Sequence, residues 1–321
     1  MDRRDFLRAS ALAGAGVALG SQVGWPDPAF ATASCMWGAR TDPYTTESTE
    51  QATRNFEAKI GRKLAVVRQY AAWDRPLPDN YDRWAASTGH TPFIAWHAKK
   101  IGGGAISWAS IANGAHDAQI IAQAKSLRAW GKPAYFCFHH EPENDPANGN
   151  ASEFKAAWSR VHTLFTSVGA TKLTWVPTFM ASTYNGGHGG IDQWMPLTSG
   201  TLYGVDGYNR GACDPTGGWR SFSEIFKPAR DYARSKGHGM FIPEWGSVED
   251  GACGNTGGKA SRKANWITDA AAAIKSWPEV RGAVYSNTRW VFNGAKVDYR
   301  VTTNSTSLSA FKSAGQRAYF L

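Results

Sequence analysis

Two hydrophobic patterns alternate along the chain from residue 35 onward. Short runs that are apolar almost throughout read "CMWGAR" (35–40), "LAVVRQY" (64–70), "PFIAWH" (92–97), "AYFCFHHE" (134–141), "LTWVPT" (173–178), "LYGVDGY" (202–208), "MFIPEWG" (240–246) and "GAVYSNT" (282–288). Their length and composition are those of buried strands. Between them, segments such as "ESTEQATRNFEAKIG", "AHDAQIIAQAKSLRAWG", "SEFKAAWSRVHTLFTSVG" and "ASRKANWITDAAAAIKSW" repeat apolar residues at helical spacing. Several open on Ser, Thr or Asp and stop at Gly or Pro, as helices do. Strands apolar on both faces and separated by helices pair in parallel through crossovers. Eight such units in about 290 residues predict an α/β chain folded as one (β/α)8 TIM barrel. A doubly wound open sheet is the competing architecture, but no glycine-rich phosphate turn follows the first strand. "IGGGA" at 101–105 lacks the spacing of a nucleotide loop.

The first 31 residues stand outside this alternation. Arg3 and Arg4 precede the weakly apolar run "ALAGAGVALG", which is too short to cross a bilayer. This is the pattern of a twin-arginine signal peptide, with A-x-A cleavage sites near Ala31 and Ala33. Residues 1–31 are therefore expected to be removed, leaving a secreted catalytic domain over 32–321. The signal carries three arginines and three aspartates, so the net charge of +9 is unchanged by cleavage. The basic residues are scattered, without a block of like charge or a nucleic-acid-binding motif. That points to a solvated surface attracted to acidic polymers rather than to nucleic acid. No second run is long enough to span a membrane, and a monomer is expected. Of the four cysteines, Cys213 in "RGACDPTGG" and Cys253 in "DGACGNTGG" sit in similarly worded loops and are expected to form a disulfide in an oxidising compartment. Cys137 reads as a buried thiol, and Cys35 is unassigned.

In a barrel of this kind, active sites are built where the strands end. The polar and aromatic residues at those ends are Arg68 and Tyr70, Trp96 and His97, His139, His140 and Glu141, Asp206 and Tyr208, Glu244 and Trp245, and Asn287. Glu141 ends the fourth predicted strand and Glu244 the seventh, about three units further on. Two inward carboxyls facing each other across the mouth suit glycosidic cleavage: one protonates the leaving oxygen while the other meets the anomeric carbon. A gap of about 5 Å gives retention and roughly 6.5–9.5 Å gives inversion. Trp37, Trp73, Trp96, Trp108, Trp194, Trp245 and Trp290 fall at or just beyond strand ends, where their faces offer stacking for pyranose rings. Burial in the core is the alternative for each. Trp84, Trp130, Trp158, Trp266 and Trp277, on helical segments, read as core. Two rival readings remain. His97, His139, His140 and Glu141 supply metal-ligand chemistry, although adjacent histidines on a strand point to opposite sides. A carbohydrate-binding protein without catalysis would use the same aromatics.

"FHHEPEND" with "PEWG" about a hundred residues later resembles glycoside hydrolase family 26, a (β/α)8 group within a larger clan. Most of that clan has Asn before the strand-4 Glu; this family has His, as His140 does here. The resemblance implies Glu141 as acid/base, Glu244 as nucleophile, and His140 as a sugar contact that supports the acid. It likens Tyr208 to the tyrosine that holds the nucleophile, and Trp290 to a tryptophan flooring the cleavage subsite. Its members include β-mannanases, mixed-linkage β-1,3-1,4-glucanases and β-1,3-xylanases, so a β-linked polysaccharide, with β-mannan foremost, is the implied substrate. No cofactor or metal is implied. The Trp-rich run that commonly follows the strand-4 Glu in mannanases is replaced by "PENDPANGN", which bears on the substrate rather than the reaction. Burial and the charge of Glu244 are expected to raise the pKa of Glu141, while Tyr208 and Arg68 keep Glu244 charged. Trp96, His97, Trp245 and Arg68 complete the expected sugar-binding set. Glu143, Asp145 and Glu249 read as loop or surface carboxylates, His188 as part of a flexible loop, and Asp206 as a hydrogen-bonding group at the barrel mouth.

Overall fold

A computed structural model describes residues 34–197 and 202–321; the expected signal peptide, residues 1–31, lies outside the described residues. Nine strands form one all-parallel sheet: β1 (Met36–Thr41), β2 (Val66–Ala71), β3 (Thr91–Trp96), β4 (Ala134–Phe138), β5 (Leu173–Trp175), β6 (Thr178–Met180), β7 (Tyr203–Asn209), β8 (Met240–Ser247) and β9 (Val280–Asn287). Their spatial order is β5-β4-β3-β2-β1-β9-β8-β7-β6. The two end strands are halves of the single fifth strand read from "LTWVPT". Pro177 has no N–H to donate, so the ladder is interrupted there. On one side Val176 N donates to Phe136 O at 2.8 Å; on the other Gly204 N donates to Pro177 O at 2.8 Å. The split strand thus joins β4 to β7 and closes the ring as a (β/α)8 barrel.

The predicted helices form where their caps are. The helix Thr49–Ile60 starts at Ser48, whose side chain accepts from Gln51 N, and stops at Gly61 with φ 66°. Asn150 and Glu153 make a reciprocal capping box for Ala151–Val168, which ends at the left-handed Gly169. Strands alternate between the barrel interior and the helix layer, with breaks just after β4 and within β8. Inside, Tyr135 and Phe93 pack on Phe241, with ring centroids 4.5 and 5.3 Å away. Gly282 is small for a reason: a Cβ there would lie 2.3 Å from the Phe241 ring. Outside, Trp96 stacks on Trp73 at 4.3 Å, and Trp245 packs against Trp37, Phe222 and Trp266.

A two-stranded antiparallel hairpin, β10 (Arg289–Phe292) and β11 (Ala295–Asp298), was not predicted and rises beside the mouth. Its turn is Asn293-Gly294, both at positive φ (47° and 79°), the chemistry of a tight hairpin turn. Cys213 and Cys253 are bridged, tying the turn after β7 to the turn after β8 across a sequence separation of 40. Cys35 and Cys137 are buried thiols. Among the described residues no helix is long and apolar enough to cross a membrane.

Loop closure over that separation is worth about 2–4 kcal/mol in the chain-entropy view. The double substitution Cys213→Ala/Cys253→Ala is expected to lower the unfolding free energy by that amount. Wild type should show the same loss in dithiothreitol, while the double variant should be insensitive to the reductant in urea titrations.

Candidate active site

The fourth strand leaves the barrel through a left-handed turn. Tyr135 and Cys137 face the interior while Phe136 and Phe138 pack toward helices, so regular alternation would send His139 inward. Instead His139 and Glu141 both adopt positive φ, 54° and 47°. Such values are rare for residues with a Cβ and cluster at functional sites. The turn rotates His139 out, against Trp108 at 5.0 Å, and brings both His140 and Glu141 into the mouth. Backbone hydrogen bonds hold it: His139 N donates to Trp96 O at 2.8 Å and Glu141 N to Thr178 O at 2.9 Å.

The other carboxylate arrives through a second irregularity. Between β7 and β8 the register runs Gly204↔Phe241 and then Asp206↔Glu244; between β8 and β9 it runs Ile242↔Ala283 and then Trp245↔Tyr285. Strand β8 therefore carries one extra residue around Pro243, a bulge of the kind found beside active sites. Phe241 and Glu244, three apart, both face inward as a result.

Glu244 is buried (4% exposed), ion-paired with one cation and hydrogen-bonded by two hydroxyls. Arg68 Nη1 lies 3.0 Å from its Oε1, the Tyr70 hydroxyl donates to the same oxygen, and the Tyr208 hydroxyl donates to Oε2. Tyr208 is braced in turn by Ser286 Oγ at 2.8 Å. Burial raises the pKa of Glu244, and the positive charges of Arg68 and Arg40 oppose that rise. Arg68 also pairs with Asp206, at 3.3 Å from Oδ1. Burial pushes Asp206 up to about 6 against the pull of Arg68. Burial disfavours the charged form of Arg68, but Asp206 and Glu244 hold its pKa above the usual value. His140 Nδ1 sits 3.2 Å from Asp206 Oδ2, and ligand atoms of His140, Glu141 and Asp206 lie within 4.8 Å of one another. Glu141, half-buried, has only Asn144 Nδ2 as a side-chain donor, at 3.1 Å. Its pKa is pushed up to about 8, first by burial and then by the charges of Asp206 and Glu143. The neighbouring charge is thus Asp206, where Glu244 was expected.

Glu141, Glu244, His140, His97, Tyr208 and Trp290 all line one cavity of about 790 Å³, together with Tyr70, Arg40 and Arg210. Arg68 reaches that site from beneath as the partner of Glu244. Trp290 stands edge-on to Tyr208, ring centroids 4.9 Å apart. Trp96 and Trp245 do not belong there: both are fully buried between strands and helices. Trp37, Trp73 and Trp108 are buried likewise, and Trp194 nearly so, which leaves Trp290 as the one member of the expected stacking set in the cavity wall. Of the three carboxylates read as loop or surface groups, Asp145 and Glu249 are partly exposed in loops, and Glu143 is the one that needs correction. Glu143 is buried, its Oε1 accepting from Met180 N and Thr183 Oγ1 at 2.6 Å each. Asp145 is tied to Lys99 and to His139. Glu249 pairs with the buried Lys263 at 3.3 Å and with Ser307 at 2.8 Å. His188 lies in a turn that does not line the cavity. Tyr70 is the functional residue that the sequence reading left without a role; its i, i+2 spacing from Arg68 was the available signal.

The His-His-Glu run divides between two surroundings. His139 Nδ1 accepts from Ala98 N at 3.1 Å, which places the ring proton on Nε2, where it donates to Asp145 Oδ2 at 2.7 Å. In that tautomer both nitrogens are engaged and neither offers a lone pair to a metal. The other group of potential ligands, His140, Glu141 and Asp206, adjoins the Arg68 guanidinium, whose positive charge opposes a cation there.

Residues 1–20 match the model of the TAT (twin-arginine translocation) pathway signal sequence, so the chain carries a signal for export by that route. Endoglucanase H of Acetivibrio thermocellus is 28% identical over 293 residues, an alignment covering 84% of this chain and 29% of that protein. The chain thus spans less than a third of the length of this curated relative. Among solved structures, a Bacillus family 26 endo-β-1,4-mannanase catalytic domain superposes with a TM-score of 0.58 at 17% identity, covering 90% of this chain and 87% of that one. A β-mannanase from a symbiotic protist of the termite Reticulitermes speratus gives 0.58 at 17% identity, over 90% and 89%. An endo-β-1,4-mannanase from Cellulomonas fimi gives 0.57 at 17% identity, over 90% and 72%. At these identities the likeness establishes a shared (β/α)8 fold.

A carboxyl whose pKa is higher folded than unfolded binds its proton more tightly in the native state, so it lowers stability as pH rises between the two values. For Glu141 that window runs from the usual 4.5 to about 8. Glu141→Gln, which cannot ionise, should therefore gain stability relative to wild type as pH climbs from 5 to 8.5. Urea unfolding at both pH values checks this; an equal difference at the two would contradict the assignment.

Proposed function

We propose that the exported chain is a retaining β-glycoside hydrolase of the family 26 type, acting on a β-linked polysaccharide. The observation that carries this reading is the unequal treatment of two carboxyls in one cavity. Glu244 has two hydroxyl donors and the Arg68 cation beside it, whereas Glu141 has one amide donor and is held protonated to about pH 8. A pair whose environments separate their protonation states is an acid with a nucleophile. In the first step Glu141 gives its proton to the glycosidic oxygen as that C–O bond breaks. Glu244 Oε attacks the anomeric carbon and forms a glycosyl ester. The ester is neutral, so one negative charge leaves the neighbourhood, and Glu141 remains ionised. In the second step Glu141 takes a proton from water as the water oxygen attacks the same carbon, restoring both carboxyls. Tyr70, Tyr208 and Arg68 position Glu244 and take up the charge that returns to it on ester cleavage.

β-Mannan is the favoured polymer, from the family resemblance and the mannanase neighbours in fold, with mixed-linkage β-glucan and β-1,3-xylan as alternatives; the endoglucanase relative keeps glucan in view. A binding protein without catalysis has no use for a carboxyl kept protonated beside one held by a buried cation and two hydroxyls. A metal hydrolase is disfavoured by the engaged nitrogens of His139.

Glu244→Ala is expected to reduce reducing-sugar release by about 10⁴-fold or more. Glu141→Ala should lose about 10²–10⁴-fold on polymer but far less on aryl glycosides with good leaving groups. Near-complete activity in both variants would overturn the assignment. Proton NMR of the first-formed product should show the β anomer, and inversion would contradict the nucleophilic role of Glu244. In wild type, kcat/KM should fall as pH passes about 8, where Glu141 loses its proton.

A further inference from the structure

Arg210 is a cation in the cavity wall with no carboxylate partner. It follows β7, lines the same cavity as Glu244 and Trp290, and its Cζ lies over the rings of Phe292 at 4.1 Å and Tyr208 at 5.5 Å. Among the described residues no Asp or Glu lies within ion-pair distance of it, and its Nε is buried without a hydrogen-bond partner. The Tyr299 phenol is its hydrogen-bonding neighbour, and its field reaches Asp214. The other charges of the cavity are matched. Arg40, stacked on Tyr70, is paired with Asp42 at 2.9 Å, Glu244 is paired with Arg68, and Glu141 carries its proton.

A guanidinium held between aromatic rings keeps its orientation, and its planar fork fits a carboxylate through parallel hydrogen bonds. A substrate covering the cavity strips water from Arg210. Neutral hydroxyls restore that solvation poorly, whereas an anion restores it with charge-assisted bonds. We propose that Arg210 makes this cavity a site for an acidic saccharide, seating the carboxylate of a uronic acid unit against its guanidinium. Cleavage of that saccharide rests on the glycosidase reading; its binding does not.

The test compares neutral β-1,4-linked oligosaccharides with counterparts carboxylated at C6, and with 6-sulfated ones, on wild type, Arg210→Met and Arg210→Lys. Wild type should prefer the carboxylated form by about tenfold in kcat/KM at low salt, a preference that high salt reduces. Arg210→Met should bring the ratio of carboxylated to neutral close to one, and Arg210→Lys should keep part of it. No preference in wild type, or the same ratio in Arg210→Met, would overturn the proposal; a stronger preference for sulfate would overturn the uronic assignment. If none of the oligosaccharides is cleaved, the hydrolase reading fails by itself. Calorimetry with the Glu244→Gln chain then decides the proposal: tighter binding of the carboxylated ligand, lost on adding Arg210→Met, supports it, and equal binding refutes it.

Discussion

The site depends on one buried guanidinium. Arg68, 1% exposed, stands inside the barrel and contacts Asp206 from β7 and Glu244 from β8. A charge taken out of water costs several kcal/mol unless it is paired well, and removing one member of a buried pair costs about 3–5 kcal/mol because the other is left alone. The triad therefore fixes the relative register of strands on opposite sides of the interior. It also arranges the chemistry around it. Asp206, drawn to Arg68, meets His140 and lends its negative charge to Glu141, while at Glu244 the same guanidinium opposes the rise that burial causes and two tyrosines donate to the carboxylate. Two carboxyls of the same type thus stand in different electrostatic surroundings, one ion-paired with the buried cation and the other beside Asp206.

The barrel was legible because its signals are local: apolar runs of strand length, helical periodicity, and caps such as Ser48 and Gly61 where the helices begin and end. Glu141, Glu244, Tyr208 and the Cys213–Cys253 pair were legible because each stands at a strand end or in a matching loop. The errors share a physical origin, which is that position along a strand does not say which face a residue takes. His97 and Glu244 face the cavity, so their neighbours Trp96 and Trp245 face the helices and are sealed there. Applying the period of two to each strand would have excluded both. The same parity would have joined Tyr70 to Arg68 as a second donor to Glu244. The hairpin after β9 carried a readable signal in Asn293-Gly294 that the count of eight strands left aside. The burial of Glu143 was not readable at all, because its partners Met180 and Thr183 come from the far side of the split strand.

The proposed catalytic carboxyls share a further property, since both reach the mouth by breaking the alternation of their strands. Left-handed backbone at His139 and Glu141 turns two consecutive residues, His140 and Glu141, to one side. One extra residue at Pro243 brings Glu244 inward three positions after Phe241. A regular barrel would aim one of each set at the helices. Irregularity of this kind is retained only where surrounding contacts over-determine it, and here they do. Glu141 is anchored through Thr178 on β6 and Glu244 through Arg68, Tyr70 and Tyr208 from two other strands. The ordinary packing of Phe93, Tyr135 and Phe241 beneath the site supplies the rigidity against which these two local departures are held. Two of the sheet's departures from regularity are the ones that bring a carboxyl into the cavity.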